Sequence, residues 1–362
     1  MLYNLLAPLG EDIQFFNLFR YLTFRAGGAM MTALIISFLI GPIVIRWLKS
    51  RQGAGQPIRE DGPETHFKKA GTPTMGGLMI IFTVMLSTLL WVDLSNPYYW
   101  ITITVFFLFG VIGFIDDYYK LTGGSHLGMP GKVRLLLEAI IGIIAVYLIS
   151  RIMPAGLTNQ LHIPFLKTLT FNLGWFFLPF GMLVIVGAAN AVNLTDGLDG
   201  LAIGPIMITS ACFGVICYLI GNVIFSNYLQ IHYVPDSGEL AVFCGALLGA
   251  GLGFLWYNAP PADVFMGDTG SLSMGGALGV MSVVTKHEIV LAIIGGLFVI
   301  ETLSVIMQVG YFKMTGGKRL FLMAPVHHHY EKKGWAETKV VMRFWIISFI
   351  FAMIGMSSLK LR

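Results

Sequence analysis

Four short polar segments interrupt an otherwise apolar chain, and together they hold most of the residues able to do chemistry. In Asn190-Ala-Val-Asn-Leu-Thr-Asp-Gly-Leu-Asp-Gly-Leu-Ala202, Asn193, Asp196 and Asp199 are spaced three apart. On a helical turn they would form one polar strip, and Gly197 and Gly200 let backbone approach a ligand closely. Asp116 and Asp117 close the apolar run 94–115, and Lys120 lies one helical turn beyond Asp116. The two acids then point about 100° apart and suit different jobs. Phe265-Met-Gly-Asp-Thr-Gly-Ser271 sets Asp268 in a glycine-flanked turn opening a helix, a place that suits a phosphate or metal-phosphate group. Pro325-Val-His-His-His-Tyr-Glu331 puts His327, His328 and His329 in a basic loop. Zinc prefers spaced ligands, so donors to a phosphate or sugar fit this run better. In an extended segment His327 and His329 would share a face. Carboxylates at a bilayer edge are costly unless they face water, a metal or a cation. Three such groups suggest a divalent cation holding phosphates, and so an enzyme.

The elements that must position these residues follow from composition. The chain has 362 residues, 56% hydrophobic and 12% charged, with mean hydropathy +0.77. A soluble domain is about a quarter charged, so the length reads as one all-α polytopic membrane domain over 1–362. Ten candidate spans are expected near 24–47, 75–92, 98–115, 133–150, 173–190, 200–220, 239–257, 271–285, 288–311 and 340–359, each near the roughly 20 residues that cross a bilayer. With ten spans, one face carries the loops near 49–74, 116–134, 191–199, 258–270 and 313–339. The other face keeps only Arg20, Arg25, Arg151, Lys167, Lys286, Lys360 and Arg362 of the 23 basic residues. By the positive-inside rule the acidic clusters face the cytoplasm and both termini face out. The net charge of +4 is therefore a topology signal and not a sign of nucleic-acid binding. No cleavable leader is read at 1–20, which carries Glu11 and Asp12 and lacks a basic start.

On the outer face, 157–173 alternates partly around Pro164 and reads as a short β-hairpin, while 221–238 reads as structural. Cys212, Cys217 and Cys244 fall in spans and read as small buried hydrophobes. Glu138 and Glu301 are intramembrane acids, either functional or bonded across packed helices. His66 and His126 receive no role. Nucleotide-binding P-loop, serine-elbow and dinucleotide glycine patterns are absent from the sequence.

The motifs Asp-Asp-Tyr-Tyr-Lys (116–120), Asn-Leu-Thr-Asp-Gly-Leu-Asp-Gly-Leu-Ala (193–202), Phe-Met-Gly-Asp-Thr-Gly-Ser (265–271) and Pro-Val-His-His-His-Tyr-Glu (325–331) resemble those of the bacterial phospho-N-acetylmuramoyl-pentapeptide transferases. Gly71-Thr-Pro-Thr-Met-Gly-Gly77 and Arg343-Phe-Trp-Ile-Ile347 match as well. The resemblance covers essentially the whole chain, within the wider polyprenyl-phosphate N-acetylhexosamine-1-phosphate transferases. It implies ten transmembrane helices in a homodimer of the bacterial cytoplasmic (inner) membrane, using Mg²⁺. The implied reaction moves phospho-MurNAc-pentapeptide from UDP-MurNAc-pentapeptide to undecaprenyl phosphate, giving lipid I and UMP.

The resemblance also assigns residues. Asp268 is the expected Mg²⁺ ligand with Asp117 supporting it, and Asp116 lies close by. Lys69, Thr74, Asn193, Asp196, Asn258 and Phe265 match positions around the nucleotide, and Lys120 joins the substrate-binding group. Asp199 and histidines 327–329 lie in the same cleft. Lys132 and Arg134 compete for the family's functional lysine; Lys132 is taken with the catalytic set, and an Arg there would replace a point charge by a bidentate fork. A GlcNAc-1-phosphate transferase is the alternative within enzymes. An ion-coupled transporter is the alternative outside them, though it would want mid-membrane carboxylates and an internal repeat. Direct attack by the lipid phosphate and an aspartyl-phosphate intermediate both remain open.

Overall fold

Long uncharged runs have no water to bond their backbone in hydrocarbon, so each must close its N–H and C=O groups within itself as a helix. A computed structural model describes residues 1–53, 69, 71–123, 128–166 and 169–360. His66, His126 and parts of the 49–74 and 116–134 loops lie outside the described residues. After α1 (Leu2–Leu6) come α2 (Leu22–Gln52), α3 (Gly77–Trp91), α4 (Pro97–Thr122) and α5 (Gly131–Ile152). Then follow α6 (Phe177–Thr195), α7 (Ile203–Ile220), the short α8 (Val223–Leu229), α9 (Leu240–Asn258) and α10 (Gly267–Val284). The chain ends through α11 (Glu288–Ile294), α12 (Gly296–Met314), α13 (Val326–Lys332) and α14 (Glu337–Ser357).

Eight of these helices are long and apolar enough to cross a membrane. The other two expected segments are α3, which is shorter, and α10, which is rich in glycine and serine. The protein is an all-α polytopic membrane protein. One span departs from expectation: 288–311 is broken into α11 and α12 at Gly295. The bare Cα of Gly296 receives the Phe351 ring of α14, where a β-carbon would overlap it.

Helix α10 is the axis of the bundle. Every residue from Thr269 to Val284 is buried, packed chiefly against α4 and α6. Its small residues permit that closeness: a β-carbon on Gly275 or Gly279 would press on the α6 backbone at Ala189 or Ile185. By contrast, α5, α12 and α14 turn large apolar side chains outward, among them Leu136, Ile144, Ile306 and Phe349, as lipid-facing helices must. The expected hairpin is present as β1 (Gln160–His162) antiparallel to β2 (Thr170–Asn172), with Leu161 opposite Phe171. It lies before α6, at the end of the helices away from Asp116 and Asp117. Cys217 and Cys244 are buried, Cys212 is half-buried, and all three are free thiols.

Candidate active site

The site begins with a close approach of three helices. Gly77 at the start of α3 and Gly113 in α4 both abut the turn Asp268-Thr269-Gly270, where a β-carbon on either would overlap backbone. Gly267 holds φ at +72°, a conformation that favours glycine, and so directs α10 into the bundle. The first N–H groups of a helix lack intrahelical partners and carry its positive end. Here they are taken: Asp268 N–H and Thr269 N–H donate to Asp117 at 3.2 and 3.0 Å, and the Thr269 hydroxyl donates at 2.8 Å. Gly267 N–H donates to Asp196. The expectation that this helix terminus receives a phosphate is therefore corrected, because two of the protein's own carboxylates already satisfy it.

With Asp117 capping, Asp268 is free to face the neighbouring helices. Its Oδ2 accepts from Lys120 Nζ at 2.9 Å and Arg134 Nη1 at 3.0 Å, and its Oδ1 accepts from Asn193 Nδ2 at 2.8 Å. Asp116 lies 2.7 Å from Lys120 Nζ and accepts the Met129 N–H at 2.9 Å, and its carboxyl is within hydrogen-bonding reach of Asp268. The i,i+4 alignment of Asp116 with Lys120, and the separate direction of Asp117, are as the helix spacing requires. Lys132 is exposed and outside this cluster. Arg134 is inside it, steadied by Asn190 Oδ1 at 3.2 Å and by Glu138, 3.7 Å from its Nε. Asn190 also donates to Glu138 at 2.5 Å.

A second group ties the loops together beside the first. Lys69 Nζ lies 2.7 Å from Asp199 and 2.6 Å from Glu337. Asp199 also accepts the Ala262 N–H at 3.1 Å. Asn258 accepts from Gly200 N–H at 3.0 Å and donates to the Val264 carbonyl at 2.9 Å. Phe265 pairs by its backbone with Pro73 and Gly76, both at 2.8 Å. The Thr74 backbone is held from both sides by the Gln52 amide, and its hydroxyl is buried with no partner among the described residues. Asn193 sits on α6, whereas Asp196 and Asp199 follow its end in turns. Of the expected strip only Asn193 is helical, and on α6 it is preceded at the same spacing by Asn190.

The histidines are helical, on α13, and do not alternate along an extended segment, so His327 and His329 do not form a common face. His327 is buried, with Nδ1 3.1 Å from Glu301 Oε2 and its ring against Gly197. His328 Nδ1 is 2.7 Å from Glu331, and His329 Nδ1 accepts the Leu322 N–H at 3.1 Å. Glu301 is therefore close to His327 across packed helices, but neither of its oxygens has a hydrogen-bond partner among the described residues.

Electrostatics bind the groups into one site. Burial, with repulsion from Asp268, Asp117 and Asp199, pushes the Asp196 carboxyl up to about 8. The oxygen-rich set of Asp268, Asp116 and Asn193 fits a hard cation such as Mg²⁺, which takes one or two carboxylates and keeps waters. Two carboxyls brought together at Asp116 and Asp268 need positive charge between them, and Lys120 supplies it at 2.7 and 2.9 Å. Asp117 lies beside this set, with both its oxygens turned to the start of α10.

Sequence reasoning missed Glu337 and Gln52, whose partners are distant in the chain and leave no local signal. Asn190 was discoverable, because it continues the three-residue spacing back from Asn193.

A family model described as glycosyl transferase family 4 matches residues 98–286. That stretch includes Asp116, Asp117, Asn193, Asp196 and Asp268. A signature described as phospho-N-acetylmuramoyl-pentapeptide-transferase signature 1 matches residues 69–81, which include Lys69 and Thr74.

Proposed function

Since this chain belongs to glycosyl transferase family 4 and carries a phospho-N-acetylmuramoyl-pentapeptide-transferase signature, we propose that it transfers phospho-MurNAc-pentapeptide from UDP-MurNAc-pentapeptide to undecaprenyl phosphate. The products are lipid I and UMP. The family gives the coarser statement outright: this is a multi-pass membrane protein of the phosphoglycosyl transferase type. The observation that carries the finer reading is the convergence of Lys120, Arg134 and Asn193 on Asp268, at one end of the helices, beside Asp116.

The reaction joins two anions, so its first demand is positive charge. An oxygen of the lipid phosphate forms a bond to the sugar-bearing phosphorus as the bond from that phosphorus to the UMP oxygen breaks. UMP leaves with the electron pair. Lys120 and Arg134 are placed to turn from the carboxylates to phosphate oxygens, Arg134 as a fork and Lys120 as a point charge. Asp116 orients the lipid phosphate, which is already largely ionised at neutral pH. Asp268, with Asn193, would hold Mg²⁺. When bound, the ion would neutralise the diphosphate and stabilise the departing oxygen. Lys69 and the turn carrying Asp196 and Asp199 face the nucleotide, and His328 and His329 donate to the diphosphate or the muramoyl group. His327 acts from beneath, holding the Asp196–Asp199 turn. The site faces the cytoplasm of a bacterial inner membrane, and two copies form a dimer.

The test is release of UMP by the purified protein. UDP-MurNAc-pentapeptide with undecaprenyl phosphate should give UMP stoichiometric with lipid product, while UDP-GlcNAc should give little. Faster release from UDP-GlcNAc would shift the assignment to a GlcNAc-1-phosphate transferase. No release from either donor would contradict the reading.

A further inference from the structure

At the opposite end of α10 lies a cavity that the transfer site does not use. An 18-residue helix is about 27 Å long, so this cavity is well removed from Asp268. Its volume is 230 Å³, and it is lined by His162 of β1, His232, Lys286 and His287, with Phe165 and Leu359 among its apolar residues. The three imidazoles stand in a row: His162 stacks on His232 at 4.4 Å, and His232 is 5.1 Å from His287. The Thr285 carbonyl can only accept, so His232 Nε2 and His287 Nδ1, at 2.7 and 2.5 Å from it, both carry hydrogen.

Two groups here are left without acceptors or donors. The Nε2 of His162 is buried and has no hydrogen-bond partner among the described residues. Lys286 is 2% exposed and sits in a left-handed conformation, φ +56°. Its Nζ lies 3.6 Å from the centroid of the Phe177 ring, but no hydrogen bond joins it to a described residue. Burial lowers Lys286 to about 8, against the attraction of Glu288. Glu288 is itself buried, with no hydrogen-bond partner on its carboxyl oxygens among the described residues, and forms no ion pair with Lys286. A buried ammonium with unused N–H groups is costly unless an anion meets it.

The surroundings indicate where that anion comes from. Beside the cavity, the hairpin and the start of α6 expose Leu166, Phe171, Trp175 and Phe176, with Trp175 88% exposed. Aromatic side chains of this kind gather at the membrane–water interface. We propose that this cavity binds the phosphate headgroup of an anionic membrane lipid, with Lys286 as its counter-charge and His162 as a hydrogen-bond donor. The acyl chains would leave past Phe165 and Leu359. A charge-assisted bond to phosphate gives the site its preference over neutral lipids.

Native mass spectrometry of the purified full-length protein tests this, with phosphatidylglycerol, phosphatidylcholine or inorganic phosphate added. The wild type should retain phosphatidylglycerol in preference to phosphatidylcholine. Lys286→Met should cut that retention roughly tenfold, the scale of one lost charged hydrogen bond, while Lys286→Arg keeps it. His162→Phe, which preserves stacking on His232, should weaken it severalfold and carries the test if Lys286→Met does not fold. Wild-type retention in a folded Lys286→Met or His162→Phe protein would overturn the proposal. Displacement of the lipid by an equimolar amount of inorganic phosphate would overturn the lipid assignment, leaving a free anion as the ligand.

Discussion

Asp268 draws its partners from three other helices, Lys120 of α4, Arg134 of α5 and Asn193 of α6, and each was visible in the sequence to a different degree. Asp116 and Lys120 could be paired from their spacing, because i and i+4 share a helix face. Asn193 announced itself by the regular spacing of its neighbours. The choice between Lys132 and Arg134 could not be made locally, since two residues separated by one position point to different faces, and only the packing of α5 on α6 selects one. The structure places Arg134 in the cluster and leaves Lys132 exposed. Accordingly Lys132→Ala should leave kcat/KM within about threefold of wild type, whereas Arg134→Ala should lose roughly a hundredfold or more, the cost of a charged hydrogen bond near the upper end of its range. Arg134→Lys should recover only part, as a point charge cannot reproduce the fork. Steady-state UMP release checks all three, and an equal loss in Lys132→Ala and Arg134→Ala would refute the assignment.

At the scale of elements, the start of α10 is where the sequence misled. A Gly-Asp-x-Gly-Ser turn looks like an anion site, but here its N–H groups are taken by the carboxyls of Asp117 and Asp196. Long-range partners of this kind leave no periodic trace. The histidine run was misread for a related reason: three polar residues show no amphipathic period, yet His327 finds Glu301 and Gly197, and α13 forms around that contact. The break between α11 and α12 had a signal in Gly295-Gly296, but paired glycines occur elsewhere in this chain without breaking a helix. The division of labour between the two adjacent acids belongs to this scale. Asp117→Ala would leave three donors at the α10 terminus unpaired and should destabilise the protein by about 3–9 kcal/mol, at 1–3 kcal/mol for each buried group left unsatisfied. Asp116→Asn should keep stability and lose turnover. Thermal unfolding beside UMP release separates them, and equal losses of both quantities in the two variants would remove the distinction.

For the whole molecule, hydropathy gave the fold class and the apolar segments, because a bilayer demands continuous apolar helices and leaves little choice of element, and partial alternation gave the hairpin. They could not show that α10 is the buried axis, with its lower end in a carboxylate cluster and its upper end in a histidine-lined cavity. That arrangement rests on glycines, whose packing role depends on what approaches them. The central claim is that phosphoryl transfer occurs at the cluster around Asp268. Its most direct test is conversion of labelled UDP-MurNAc-pentapeptide into solvent-extractable lipid by wild-type and Asp268→Asn protein, reconstituted in matched liposomes and compared at equal folded content. The account predicts that Asp268→Asn forms less lipid product by roughly a hundredfold or more, the scale expected when a metal-positioning group is lost, and that added Mg²⁺ does not restore it. Product formation near the wild-type rate at ordinary Mg²⁺ would contradict the account.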